Sequence, residues 1–192
     1  ELIHQQTSRL MDISNSYIAL YDKESNTIRF ALAMDEGERL PDEELQPGSE
    51  SGWAPRSFGA GRTEEIITSR RSLFHKTRVE AEKWYTQPGH EEYVGAISAS
   101  WIGVPMIAGD EVLGVIAAYD PDRDNVYDDA DLGVLETIAN EAAIALDNAN
   151  LYYGVVQELE RRSQNLTVLN EIGRELTSGI RLEPDEVVEL IH

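Results

Sequence analysis

The stretch Ser100–Tyr153 reads SWIGVPMIAGDEVLGVIAAYDPDRDNVYDDADLGVLETIANEAAIALDNANLYY, and its order of apolar and polar residues decides the architecture. The runs Trp101–Ala108 and Val112–Tyr119 are rich in Val, Ile and aromatic residues, the composition of strands. Gly109-Asp110 separates them, which predicts a hairpin with a tight, polar turn. A polar loop, Asp120–Val126, follows. Asp128-Asp129-Ala130-Asp131 then opens a helix, with an Asp at the N-cap and more acid in the first turn, where the helix dipole favours it. Leu132, Leu135, Ala139, Ala142, Ala145, Leu146 and Ala149 recur at helical spacing and give this helix one apolar face.

C-terminal to this stretch the helical pattern continues to about Thr177. Tyr152, Leu159, Leu166 and Gly173 repeat at heptad spacing. Two registers complete that seam: Ala149, Val156, Ser163 and Asn170, or Val155, Arg162, Leu169 and Leu176. The predicted dimer seam is therefore Tyr152, Val155, Val156, Leu159, Leu166 and Leu169. Leu182-Glu183-Pro184-Asp185-Glu186 reads as a further helix start, with Pro where no N–H is needed. Glu189-Leu190-Ile191-His192 repeats Glu1-Leu2-Ile3-His4.

On the N-terminal side, Glu1–Ser14 carries Leu2, Ile3, Leu10 and Ile13 at helical intervals and predicts an opening helix. Tyr17–Tyr21 and Thr27–Met34 read as strands around a polar turn, with Ile28, Phe30, Leu32 and Met34 on one face. Asp35–Glu50 is a long acidic loop. Ser51–Phe58 is predicted as a short helix stopped by Gly59-Ala60-Gly61, Glu65–Thr68 as a short strand, and Val79–Tyr85 as a short helix. Gln87–Ser98 is a loop.

The 192 residues suffice for one sizeable domain with extra helix, and 41% hydrophobic with 27% charged residues is ordinary for a globular protein. The chain starts without Met inside a helical pattern, as expected of a piece of a longer protein. A net charge of −20 argues against nucleic acid and anionic membrane surfaces, since both need a basic face. No apolar run is long enough to span a bilayer and no signal peptide opens the chain, so the expected location is cytoplasmic. The chain has no cysteine, which excludes disulfides, thiolate metal sites and Cys nucleophiles.

In their order, a hairpin, an acidic loop and a long exit helix, these elements resemble the C-terminal half of a GAF domain. The resemblance rests on Val104-Pro105, Gly114-Val115-Ile116, Tyr127 with Asp131, and the run Ala139–Tyr152. Gly48, Gly52-Trp53 and Gly59 or Gly61 resemble the family's glycine-spaced element. The resemblance implies an α/β (α+β) fold: an antiparallel sheet with helices on one face and a long C-terminal coiled-coil linker helix. It also implies the organisation 1–150 GAF domain, 151–180 signalling helix and 181–192 the start of a second, truncated GAF domain. Its functional implication is a sensory or regulatory module of a cytoplasmic signalling protein such as a sensor histidine kinase of a two-component system. Adjacent signalling domains would lie in the same chain.

The residues offer no catalytic group: no Gly-x-Ser-x-Gly elbow, no phosphate loop and no paired metal-ligand histidines are present. No metal site and no enzyme activity are expected of this segment. Without cysteine, the covalent bilin attachment known in the family is impossible, and the cofactor is left unknown. His75 and His90 fall mid-domain, where one His could bind a haem iron axially; the plainer reading is a hydrogen-bonded or surface His. Trp53, Phe58, Phe74, His75, Trp84, Tyr85, Tyr93, Ser98, Ser100, Trp101 and Tyr119 form a candidate pocket lining that suits a modest organic ligand or, equally, a filled core. Three functional readings follow: a sensory module signalling through a homodimeric helix, a ligand-free dimerisation module, or a haem-like cofactor sensor using His75 or His90.

Overall fold

The computed structural model describes residues 11–90 and 97–179, with side chains to Ile172. The hairpin forms from β6 (Ser100–Ala108) and β7 (Glu111–Asp120), paired from Ser100↔Asp120 to Ala108↔Glu111. Its two-residue turn places Gly109 at φ +55, the positive φ that a type II′ turn asks of its first central residue. Around the hairpin stand β1 (Ser16–Asp22), β2 (Thr27–Asp35), β3 (Glu38–Arg39), β4 (Arg56–Ser57) and β5 (Leu73–His75). The sheet order is β3-β2-β1-β7-β6-β5, with β4 paired to β2, and every one of these ladders is antiparallel.

Because strand side chains alternate, the hairpin feeds two cores. Ile102, Val104, Met106, Ile116 and Ala118 face one side, where they meet Leu135, Ile138, Ala139, Ala142 and Ala143 of α3 (Asp129–Gly179). Trp101, Val115 and Ala117 face the other, with Tyr17, Ala19, Ile28 and Phe30 and with Ile66 and Ile67 of α1 (Arg62–Ser69). Helices thus cover both faces of the sheet. This corrects the expectation of helices on one face: α1 occupies the stretch predicted as a strand at Glu65–Thr68. The β-branched run Ile66-Ile67-Thr68 looks strand-like, but Thr63, Ile66 and Ile67 are buried at i, i+3, i+4 spacing and a helix satisfies that pattern.

Two further expectations change. Ser51–Phe58 is a turn followed by β4, not a helix. Ser51 Oγ accepts from Trp53 N, and Pro55 brings no N–H, so the local donors go to turns while Arg56 and Ser57 pair with Ile28 and Thr27. In β2, the pairing slips between Ile18↔Leu32 and Ala19↔Phe30, leaving Ala31 extra and exposed. That bulge flips the phase, so Ala33 joins Ile28 and Phe30 in the core of the α1 side, in place of Leu32 and Met34.

The start of α3 follows its sequence signature. Asp128 Oδ1 accepts from Ala130 N (2.7 Å) and Asp131 N (3.1 Å), and Asp131 Oδ2 accepts from Asp128 N (2.9 Å), a reciprocal cap. The loop before it is tied by Asp120, whose carboxylate takes the N–H groups of Asp122 and Arg123 and the Arg123 guanidinium, which also reaches Asp12. Helix α2 (Arg78–Tyr85) is capped by Thr77, whose side chain accepts from Glu80 N. The predicted opening helix at Glu1–Ser14 falls mostly outside the described residues; Met11–Ser14 is not helical. The chain divides into a unit Glu1–Asp147 and a unit Asn148–His192, and no described helix is long and apolar enough to cross a membrane.

Close approach at the hairpin fixes two glycines. A Cβ on Gly114 would run into the Ala19 carbonyl oxygen of the adjacent strand, which is backbone and cannot step aside. Gly133, on exposed helix, has nothing near it. In urea unfolding, Gly114→Ala should destabilise by about 3 kcal/mol or more, the scale of a clash in a closed core. Gly133→Ala should stabilise by about 0.5–1 kcal/mol through helix propensity. Equal effects at the two sites would contradict the packing described.

Candidate functional site

On the α1 side of the sheet the side chains leave a cavity of about 610 Å³, within the roughly 300–1,000 Å³ range of small-molecule sites. Its aromatic wall is Tyr17 of β1, Phe30 of β2 and Trp53 from the turn before β4. Tyr17 and Phe30 meet edge-on at 5.5 Å, Phe30 and Trp53 edge-on at 5.1 Å, and Tyr17 and Trp53 lie tilted at 5.6 Å. These are attractive geometries between rings, and they fix the wall without help from a ligand. The floor is Trp101 and Tyr119, directly opposite each other in the hairpin. Gly103 makes room for the floor: a Cβ there would strike the Trp101 ring.

The third side is the segment Gly59-Ala60-Gly61 and the first turn of α1. Gly61 caps that helix without a side-chain hydrogen bond. Thr63 bonds across to the Tyr17 hydroxyl at 2.9 Å, tying α1 to β1. Glu64 is buried, takes both arms of the Arg56 guanidinium and accepts from Gly59 N at 3.1 Å. Arg62, 6% exposed, donates to Ser98 Oγ at 3.2 Å and lays its guanidinium 4.6 Å from the Trp101 ring centre and 5.4 Å from that of Tyr85.

Of the residues singled out from the sequence, Trp53, Ser98, Trp101 and Tyr119 line this cavity. Phe58 packs beside Tyr21 at 5.1 Å, outside the lining. Phe74 and Ser100 sit at strand positions that alternate onto the α3 side, opposite Ile102 and Asp120. Trp84 and Tyr85 belong to α2 and pack edge-on to each other at 5.0 Å. Tyr93 lies outside the described residues. Tyr17, Phe30, Arg56, Arg62, Thr63 and Glu64 also line it and were not singled out as pocket residues. The available signal was Gly59-Ala60-Gly61-Arg62-Thr63, a glycine-rich approach to a helix that opens on a cation and a hydroxyl.

Neither His75 nor His90 is among the residues lining the cavity. Among the described residues, a haem seated there would find no axial histidine, so this lining does not fit that cofactor. His90 stacks on Trp84 at 3.8 Å, with Nδ1 at 2.8 Å from the Trp84 carbonyl. His75 is buried, edge-on to Trp84 at 6.2 Å, and its Nε2 has no partner among the described residues. Burial, then the Arg62 charge, pull the His75 pKa down to about 4, with Glu80 acting the other way. The unfolded chain therefore binds a proton on this ring at a higher pH, near 6.5, than the folded chain does. The stability it allows is complete above pH 6.5 and is lost as pH falls toward 4. The loss should reach at most about 3 kcal/mol. Urea unfolding between pH 4 and 7 should show wild type losing stability relative to His75→Phe as pH falls; parallel profiles would refute the assignment.

Solved structures with the same fold come from several signalling proteins. The GAF domain of a phosphoenolpyruvate-protein phosphotransferase from Acinetobacter superposes with a TM-score of 0.55 at 18% identity, over 78% of this chain and 81% of that one. Residues 122 to 287 of a methyl-accepting chemotaxis protein give 0.58 at 16% identity, over 79% and 88%. The second GAF domain of DevS from Mycobacterium smegmatis gives 0.57 at 12% identity, over 80% and 94%. These likenesses concern the fold. No curated protein sequence matches the chain. A GAF domain family model matches residues 1–147, and with the antiparallel sheet and its cavity this places the chain in the GAF family.

Proposed function

We propose that this chain is a sensory GAF module of a larger signalling protein, in which a small ligand in the cavity alters a helix that passes the change on. The observation that carries this reading is the two-sidedness of β6 and β7. Trp101 and Tyr119 line the cavity, while their neighbours Ile102 and Ala118 pack against the root of α3. One strand thickness separates the ligand's floor from the helix that leaves the domain. The proteins whose domains share the fold include a chemotaxis receptor and a phosphotransferase, which is the setting such a relay would serve.

The output half of the reading is a homodimer through the helix beyond Asn148. Tyr152, Val155, Leu159, Leu166 and Leu169 are each 59–69% exposed, an apolar series at a/d spacing that suits a second copy of the same helix. In this register the polar exception is Arg162, held by Glu158 at 2.7 Å. The other register replaces Val155 and Leu169 with half-buried Val156 and with Asn170, and offers less apolar surface to a partner. A ligand that shifts the root of α3 would bias one register over the other.

Leu159→Lys with Leu166→Lys should convert the dimer to a monomer in sedimentation. An unchanged mass would remove the seam. For the relay, a cysteine placed at Val155, in a chain with no other cysteine, reports helix pairing through its crosslinking rate. Ala60 lines the cavity, so Ala60→Trp adds bulk at its wall. The crosslinking rate should then change by about threefold or more, the equivalent of a population shift near 0.6 kcal/mol. An unchanged rate would make the helix a passive spacer.

A further inference from the structure

Among the described residues, three charged side chains line the cavity: Arg56, Glu64 and Arg62. Arg56 and Glu64 neutralise each other through a two-armed pair. Arg62 is left over. It is 6% exposed, and among the described residues its one hydrogen-bond acceptor is Ser98 Oγ at 3.2 Å, with no carboxylate at ion-pair distance. A guanidinium has five N–H donors in a planar fork, so most of this one's capacity is unspent. Cation–π contact with Trp101 and Tyr85 holds the group in place without supplying negative charge. A buried cation with no counter-charge is costly, and a ligand bringing the missing charge removes that cost.

We infer that the cavity takes a small monoanionic organic acid, its carboxylate on Arg62 and its apolar body in the Tyr17–Phe30–Trp53 cage. This inference rests on the cavity's being a ligand site, and it adds the ligand's chemical class. A carboxylate matches the guanidinium fork with two parallel hydrogen bonds. Ser98, beside Arg62, and the first turn of α1, which its Gly61 N-cap leaves without a side-chain acceptor, are further donors on the same side. Among the described lining residues there is one excess cation, which matches one negative charge. A phosphate, with about −1.5 to −2 at pH 7, would leave part of its charge uncompensated. The opposite wall presents edge-on rings, which suits a flat or branched apolar body.

The test uses the purified chain and matched probes: phenylacetate, 3-phenylpropionate and 4-phenylbutyrate, each against its own amide, and phenethyltrimethylammonium. Isothermal titration gives affinity, and the fluorescence of Trp53 and Trp101 reports occupancy of the cavity. At least one acid should bind about 10- to 100-fold more tightly than its amide, the range for a hydrogen bond to a charged group. Arg62→Met should bring the acid to within about threefold of the amide and leave amide binding in place. The acid-to-amide comparison stands on wild type alone, should that variant not fold. Acid and amide bound equally would overturn the inference and leave the cavity a ligand site. Tighter binding of the trimethylammonium probe would overturn it in favour of a cation cage. No binding by any probe up to millimolar concentration would overturn the inference together with the ligand-site reading.

Discussion

The double burial of one β-hairpin governs this structure. Every side chain of the middle of β6 and β7 must serve one of two cores, and the backbone between them has no room to spare. Gly114 lies against the Ala19 carbonyl, and Gly103 lies under the Trp101 ring. A sheet packed this closely holds its two faces in fixed register. The α3 side receives the aliphatic set and closes with helix, small alanines fitting against the strands. The other side receives large rings that meet edge to face or tilted, and rings so arranged do not fill space completely; the cavity remains between them.

Charge is distributed with the same economy. Among the described residues of the first unit, the buried ionic groups are mostly satisfied by partners close in sequence. Glu64 takes Arg56 and the Gly59 amide, and Asp120 takes the Arg123 side chain and backbone. Burial works against the Asp120 charge, but those hydrogen bonds outweigh it and hold the carboxyl below its usual range. Arg62 stands apart from this pattern, which is why it marks the cavity as chemically unfinished. Sites where a chain departs from local consistency are where function is expected.

Much of the fold is written in local sequence. Gly109-Asp110 between two apolar runs specifies the hairpin, and Asp128 with Asp131 specifies the start of α3 down to its reciprocal cap. What local pattern cannot show is decided by neighbours. Ile66-Ile67-Thr68 has strand-like residues and becomes helix because its burial repeats at 3–4 spacing. The extra Ala31 is invisible in a two-residue alternation, yet it moves Ala33 into the core that holds the cavity. The site was half legible for the same reason. Trp53, Ser98, Trp101 and Tyr119 stand out by type. Arg62 does not, because an arginine reads as surface by default, and only its neighbours Trp101 and Ser98 show it to be buried.

If β6 and β7 form a single wall shared by cavity and helix root, residues on its two sides must be energetically coupled although they do not touch. A double-mutant cycle between Trp101→Phe, on the cavity side, and Leu135→Ala, in the α3 root, measures that coupling by urea unfolding. The account predicts an interaction energy of at least about 0.5 kcal/mol, beyond the additivity expected of independent sites. Effects that add to within about 0.3 kcal/mol would show the two faces to be independent and would contradict it.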